Sequence, residues 1–327
     1  MKLYRCGFTL TCLLSLLIAG GAARAQIDYP NKPVQIISDS APGSAVDVGL
    51  RIIADGLSQH WNQQVLVVNQ PGAGGAISAM AAAKAPPDGY TLYAPALSVF
   101  LTVPGKAPNL PLELPRDFLP VGYTVDQPMA IGISPKLGVN TLSELIALAK
   151  QKPGEISYGV TGVGRLTHLT GELLQIRGDI NLQMVPYTGG SAQALTDVLG
   201  DRIAMIIDGY TGLSSAFQSG QLKPLAVASA QRLPDAPNLP TVAETIPGFI
   251  ATGWQAVVAP KGTSDAVINK ASADLRAVLV KPEIKDKLAA RGSFVRPMTP
   301  QEVLKYINDQ QTLWKPALER VAAQTQK

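Results

Sequence analysis

Short β-branched runs alternate with stretches of helical periodicity along almost the whole chain, the pattern of parallel α/β sheets. Val34 to Ser38 reads as the first strand, and Val46, Leu50, Ile53, Ala54 and Leu57 behind it fall on one face of a helix. Val65 to Val68 reads as a second strand, Ala76 to Lys84 as an alanine-rich helix and Tyr90 to Ala94 as a third strand. A proline-rich connection from Pro104 to Pro120 follows, after which the pattern restarts. Strands are predicted at Met129 to Ile133, Ile156 to Val160, Leu182 to Val185, Ile203 to Ile207 and Pro224 to Ala228. Between them come a helix opened by the Thr141-x-x-Glu144 capping box and helices at Leu166 to Arg177, Ser191 to Leu199 and Gly212 to Ser219.

Leu233 to Phe249 is irregular, and Trp254 to Ala259 has the profile of a buried strand. The last helices, Ser264 to Val280, Pro282 to Arg291 and Pro300 to Lys327, have no comparable strands among them and are expected to pack on the first unit. The chain then divides into a discontinuous first lobe, 26–124 with 252–327, and an inserted second lobe, 125–251. Crossings near Val121 to Asp126 and Ile250 to Gln255 would form a hinge.

The first residues change the reading of the composition. Lys2 and Arg5, the apolar run Phe8 to Ile18 and Ala23-Arg24-Ala25 have the order of a cleavable export signal, so residues 1–25 are expected to be removed and the protein to work in the periplasm. Cys6 and Cys12, the two cysteines, leave with it, and Thr9-Leu10-Thr11 lacks the small residues of a lipidation signal. The processed chain then has no disulfide, thiolate metal site or thiol nucleophile. Three cations and no acid are lost, so the formal net charge falls from +4 to +1. Nothing in that balance calls for nucleic acid or an anionic membrane as partner.

Candidate chemistry sits in glycine-rich strand-to-helix turns. Open parallel sheets bind ligands beyond the carboxyl ends of their strands, where helix N-termini offer unpaired amides and a positive dipole end. Four turns have that character: Pro42-Gly43-Ser44, Thr161-Gly162-Val163-Gly164, Tyr187-Thr188-Gly189-Gly190-Ser191 and Asp208-Gly209-Tyr210-Thr211-Gly212. Any one alone reads equally as a tight turn with a capping hydroxyl; convergence of all four would make a cleft. Asp47 either favours the dipole or ties down the Pro42 loop, and Asp208 would accept from a ligand hydroxyl or amine if it faces the cleft. Arg165 gains nothing locally at the positive end of a helix, which suits a partner carboxylate on the ligand.

Catalysis has less support. His60 ends the first helix, where it complements the dipole, and His168 lies one turn into another helix, where a packing or capping role competes with cleft contact. The chain has no G-x-S-x-G elbow, no H-E-x-x-H and no carboxylate cluster at metal spacing, and no cofactor is called for.

The motifs together resemble the Bug-type extracytoplasmic solute receptors of tripartite tricarboxylate transporters. The resemblance runs through Tyr29-Pro30-Asn31-Lys32-Pro33-Val34, Pro42-Gly43 with Asp47, Asn69-Gln70-Pro71-Gly72-Ala73-Gly74-Gly75 and Pro87-Asp88-Gly89-Tyr90-Thr91-Leu92. It continues through Gly162 with Gly164, Thr167-His168-Leu169, Val185-Pro186-Tyr187 with Gly189-Gly190, Leu239-Pro240-Thr241-Val242-Ala243-Glu244 and Ala259-Pro260-Lys261-Gly262-Thr263. It implies a two-lobed periplasmic binding-protein fold of type II character, two mixed or parallel sheets with a hinge, closing on a small carboxylate such as a dicarboxylate, amino acid or aromatic acid. By the same resemblance the ligand is held, partly through waters, by Pro42, Gly43, Ser44 and Asp47, by Gly162, Gly164, Arg165, Thr167 and His168, and by Tyr187, Gly189 and Gly190. Asp208 and Ala96 lie at further contact positions. Ser44, Arg165-Leu166 and Ala94-Pro95-Ala96 depart from the usual residues. The protein is expected to be a monomer serving a membrane permease; a ligand-presenting sensor or an enzyme on the same scaffold are the alternatives.

Overall fold

A computed structural model of the chain describes residues 28–40, 42–71, 75–95, 114, 116–187 and 191–325. The expected export signal, Ala96, Gly189 and Gly190 lie outside them.

Strands β1 (Val34–Ser38), β2 (Val65–Asn69) and β3 (Thr91–Ala94) are parallel, in the order β2-β1-β3. Helix α1 (Ala45–Trp61) covers one face, where Leu50, Ile53 and Leu57 meet Val34 and Ile36. Helix α2 (Ala76–Ala83) covers the other, where Ala79 and Ala82 meet Ile37 and Tyr93. Burial on both faces explains why β1 and β3 read as mostly apolar runs, whereas β2, at the edge of the sheet, keeps Leu66 half exposed.

The long strand β4 (Phe118–Ile133) carries the chain into the second half. Up to Pro128 it pairs antiparallel with β9 (Thr252–Pro260). From Met129 onward its partners are β7 (Met205–Gly209) and β8 (Lys223–Val227), again antiparallel. Parallel to β7 lies β5 (Ser157–Val160), followed by β6 (Gln183–Pro186). The second half carries helices α3 (Leu142–Gln151), α4 (Leu166–Gly178), α5 (Ser191–Leu199) and α6 (Tyr210–Gln218).

Strand directions fix where the helix N-termini point. β3 and β4 are both antiparallel to β9, so β1, β2 and β3 run with β4, toward the second half. β5, β6, β7 and β8 run against β4, toward the first. The carboxyl ends of the two sets of strands therefore face each other across the point where β4 changes partners. That change falls between Pro128 and Met129, slightly later than the Val121 to Asp126 crossing expected from the sequence. The backbone hydrogen bonds Met129 N to Ala251 O, Ala251 N to Ala228 O and Ala228 N to Met129 O stitch the seam there, at 3.0, 2.8 and 2.7 Å.

Helices α7 (Asp265–Leu279) and α8 (Pro282–Ala289) pack on the first half, with Leu275, Val278, Ile284 and Leu288 in the core that holds Val34 and Leu50. A strand the sequence reading omits, β10 (Phe294–Met298), then pairs antiparallel with β4. The last helix, α9 (Pro300–Thr325), corrects the expectation that all three C-terminal helices join the first lobe. Its Val303, Ile307, Trp314, Ala317 and Val321 are buried in the core of Leu145, Tyr158, Leu173 and Leu174, which is second-half structure. Val303, Ile307 and Val321 each contribute about 1.5–3 kcal/mol by leaving water, so the C-terminal helix is an integral wall of the second half.

Candidate functional site

At the first-half junction a turn enters α1. Gly43 has φ +76°, a conformation that L side chains rarely adopt, and Ser44 caps the helix by accepting from Asp47 N at 3.3 Å. The buried Asp47 carboxylate is fully engaged within the chain: Oδ2 accepts from Gly43 N at 2.8 Å and Arg51 Nε at 3.0 Å, and Oδ1 from Asn69 Nδ2 at 2.8 Å. Burial pushes this carboxyl up, but the bonds from Arg51, the Gly43 amide and Asn69 prevail and hold it below the ordinary carboxylate value. Asn69 also donates to Ser40 O and accepts from Arg51, so the end of β2 is locked to the loop. Asp47 shapes the junction, Pro42 and Gly43 are exposed at its rim, and Arg51 and Asn69 are partners that the site residues chosen from sequence do not include.

The junction from β5 to α4 is built differently. Gly162 and Gly164 have φ +141° and +77°. Thr167 Oγ1 accepts from Thr161 N at 3.0 Å, and the fully buried His168 accepts the Gly164 N–H on Nδ1 at 3.0 Å. Arg165 occupies the N-cap position, where no side chain caps the helix. The first-turn amides of Leu166, Thr167 and His168 thus have neither an intrahelical acceptor nor a cap. The Arg165 side chain is exposed, its stem runs along the side of Gly162 where a Cβ would point, and its guanidinium pairs with no acid among the described residues. A cation and a bare helix N-terminus with no anion to satisfy them define an electropositive spot.

Two further predicted residues lie along the same strand ends. Asp208, near the end of β7, receives the Ser191 hydroxyl and the Gly209 amide; burial dominates and keeps its carboxyl above the ordinary value. Helix α6 starts at the next turn without a side-chain cap. Tyr187 turns its hydroxyl away from the seam to Asp197 Oδ2 at 2.8 Å, and burial, with that carboxylate second, pushes its phenol up to about 12. The structure therefore aligns Gly43, Ser44, Gly162, Gly164, Arg165 and Asp208 at facing strand ends, while the polar groups of Asp47, Thr167, His168 and Tyr187 are taken up inside the chain.

The halves touch where Thr211 Oγ1 donates to Arg291 O at 2.9 Å, and just on the first-half side of the seam Gln127 Nε2 donates to Ser293 Oγ at 3.0 Å. Gly292 makes the first contact possible, because a Cβ there would lie 1.6 Å from Thr211 Oγ1. Beside the seam is a cleft of about 700 Å³, between the 229–235 segment and α8 with β10. None of the glycine-junction residues lines it. Two of the three cations that line it pair within the chain, Arg232 with Glu244 at 2.6 Å and Arg296 with Asp126 at 3.5 Å; the third, Lys285, lies on α8. His60, read from sequence as complementing the α1 dipole, has Nε2 3.2 Å from Asp274 Oδ1 on α7. Among the described residues no metal-holding group of His, Cys, Asp or Glu is present, and no helix is long and apolar enough to cross a membrane.

Two sets of strands joined by a shared strand, with helix N-termini facing across the seam, define the periplasmic binding-protein class. The chain belongs to the tripartite tricarboxylate transporter receptor family, whose model matches residues 50–322. It is 36% identical over 299 residues to the protein BugT of Bordetella pertussis (strain Tohama I), covering 90% of this chain and 91% of BugT. Among solved structures it is similar to the periplasmic binding protein BugD, at 32% identity and a TM-score of 0.69, covering 90% of this chain and 99% of BugD. An R. palustris protein solved with adipate matches at 29% identity and a TM-score of 0.74, over 90% and 99% of the two chains.

Proposed function

We propose that this receptor captures a small organic acid carrying two or more carboxylates, between a first lobe of residues 26–124 with 252–299 and a second of 125–251 with 300–325. One observation carries the reading: at α4 an Arg165 with no acid partner among the described residues and a helix N-terminus without a side-chain cap lie together at strand ends that point toward the other half. A carboxylate supplies the acceptors that both lack, and Arg165 can meet it with two parallel N–H bonds. The adipate found on a relative supports the same chemistry. Pro42, Gly43 and Ser44 form the opposing rim, and ligand favours the approach of the lobes through contacts made only when both meet.

The protein binds and releases its guest unchanged, acts as a monomer in the periplasm after loss of an export signal, and delivers the solute to a membrane permease of the tripartite type. Calorimetry against acetate, succinate, adipate and citrate tests the binding step, with mass spectrometry of any co-purifying solute alongside. Heat with at least one of the di- or tricarboxylates and less with acetate is the expected result. Absence of heat with all four, with no acid co-purifying, overturns the proposal; conversion of the bound acid during incubation overturns the non-enzymatic part alone.

A further inference from the structure

We propose that His168 is the positioning residue for the bound carboxylate: it anchors the 161–165 loop by accepting the Gly164 N–H on Nδ1, and the C-terminal helix supports that tautomer through Arg320, which holds Glu172 against the Nε2 side of the ring. This rests on the receptor reading above and assigns the side chain a role without ligand contact.

A ring nitrogen that accepts a hydrogen bond carries no proton, so acceptance of the Gly164 N–H on Nδ1 places the proton of the neutral ring on Nε2. That nitrogen faces Glu172 Oε1, one helical turn on, at 3.4 Å. Glu172 is as buried as the histidine, and a carboxylate there without compensation would be expelled or protonated. Arg320 of α9 supplies the compensation, with Nε 2.7 Å from Glu172 Oε2, and Gln175 Nε2 approaches Oε1 at 3.1 Å. Burial pushes the Glu172 carboxyl up, and the contacts from His168 and Arg320 more than offset it, keeping it below the ordinary glutamate value. An ionised acid thus faces the protonated side of the ring and favours the tautomer that the loop requires.

The value of neutrality follows from the dipole. A carboxylate in the place of the imidazole could hold the glycine amide equally well, but it would occupy the positive end of α4 and repel an acidic guest. The imidazole fixes the turn and leaves the field for the ligand. Helix α9, whose half-buried Arg320 reaches Glu172 from the far side of this relay, thereby belongs to the binding machinery.

Two variants and one spectroscopic measurement test the assignment. His168→Asn puts an uncharged oxygen near the position of Nδ1, whereas His168→Leu keeps bulk and removes the acceptor. By calorimetry with succinate, adipate and citrate, Asn should stay within about threefold of the wild type and Leu should lose roughly thirtyfold, although both lower the melting temperature. Equal losses in the two overturn the positioning role. Nitrogen-15 NMR of the ligand-free wild type should show Nδ1 bare and Nε2 protonated; the opposite tautomer, or a doubly protonated ring at neutral pH, overturns the proposal whether or not the variants fold. A wild type that binds none of the three acids overturns the receptor reading and removes the bound carboxylate from this one, a result distinct from unequal or equal loss in the variants.

Discussion

Helices α1 and α4 start alike and reach opposite electrostatic states. Each follows a parallel strand, each is entered through a glycine at φ near +77°, and each bends its fourth residue back from the N-cap side to hold that glycine amide. At α1 the bending residue is Asp47, which brings a charge balanced by Arg51 and Asn69, and Ser44 completes the cap. At α4 the residue is neutral, the N-cap is Arg165 and the cap is missing. The first junction is self-sufficient; the second lacks one anion. A ligand carboxylate should therefore be recognised unequally, by charge from the second half and by shape from the first.

Removing the internal anion should produce the largest effect. Asp47→Ala deletes the acceptor of three hydrogen bonds, frees the Gly43 amide and the Arg51 Nε–H and takes one of its two acceptors from Asn69, a loss of about 2–3 kcal/mol. Urea unfolding should show a lower midpoint with an unchanged slope. A loss under about 0.5 kcal/mol, the range of ordinary surface changes, would show that the α1 junction does not depend on its own carboxylate, and the contrast with α4 would collapse.

The complementary change is Arg165→Ala. Here stability should stay within about 0.5 kcal/mol, because an exposed cation at a helix N-terminus stabilises nothing. Affinity for dicarboxylates should fall about tenfold, or 1.4 kcal/mol, and the wild-type advantage should shrink with added salt. Unchanged calorimetric affinity for every acid that the wild type binds would assign recognition to the amides alone.

Much of this was readable before folding, and the gaps have physical causes. The apolar face of α1, the β-branched cores of β1 and β2 and the four glycine turns carry local signals that do not need a partner to be recognised. β10 was missed because Arg296 and Pro297 interrupt its alternation and because it is only half-buried against β4. The first part of β4 read as a connection since Pro120, Gly122, Asp126 and Gln127 break an otherwise strand-like run, although that run carries the pairing from one half to the other. The periodicity of α9 announces a buried face and not what covers it; Trp314 would suit either core. Likewise His168 and Arg165 could be singled out by residue type, but the tautomer of one depends on Glu172 and Arg320, and the other's lack of an acid partner among the described residues depends on what folds beside it, both set by tertiary packing.

The smallest effect sought is a slope in pH, and it has opposite sign at the two acids. Asp47 titrates below its ordinary value in the folded chain, so its contribution is full above about pH 4 and is lost as pH falls through the lowered value. Asp208 titrates above its ordinary value because burial outweighs the Ser191 and Gly209 bonds. The folded state then holds its proton longer than the unfolded state, and stability declines as pH rises from about 4 through the raised value. Asp208→Asn removes that decline, so melting temperatures of the variant and wild type should diverge in the variant's favour across this window and run parallel above it. The Asp47→Ala variant should show the reverse, converging on the wild type in acid. Parallel curves for Asp208→Asn over the whole range would mean that its carboxylate is as well solvated as in the unfolded chain, and would place it outside the shielded part of the seam.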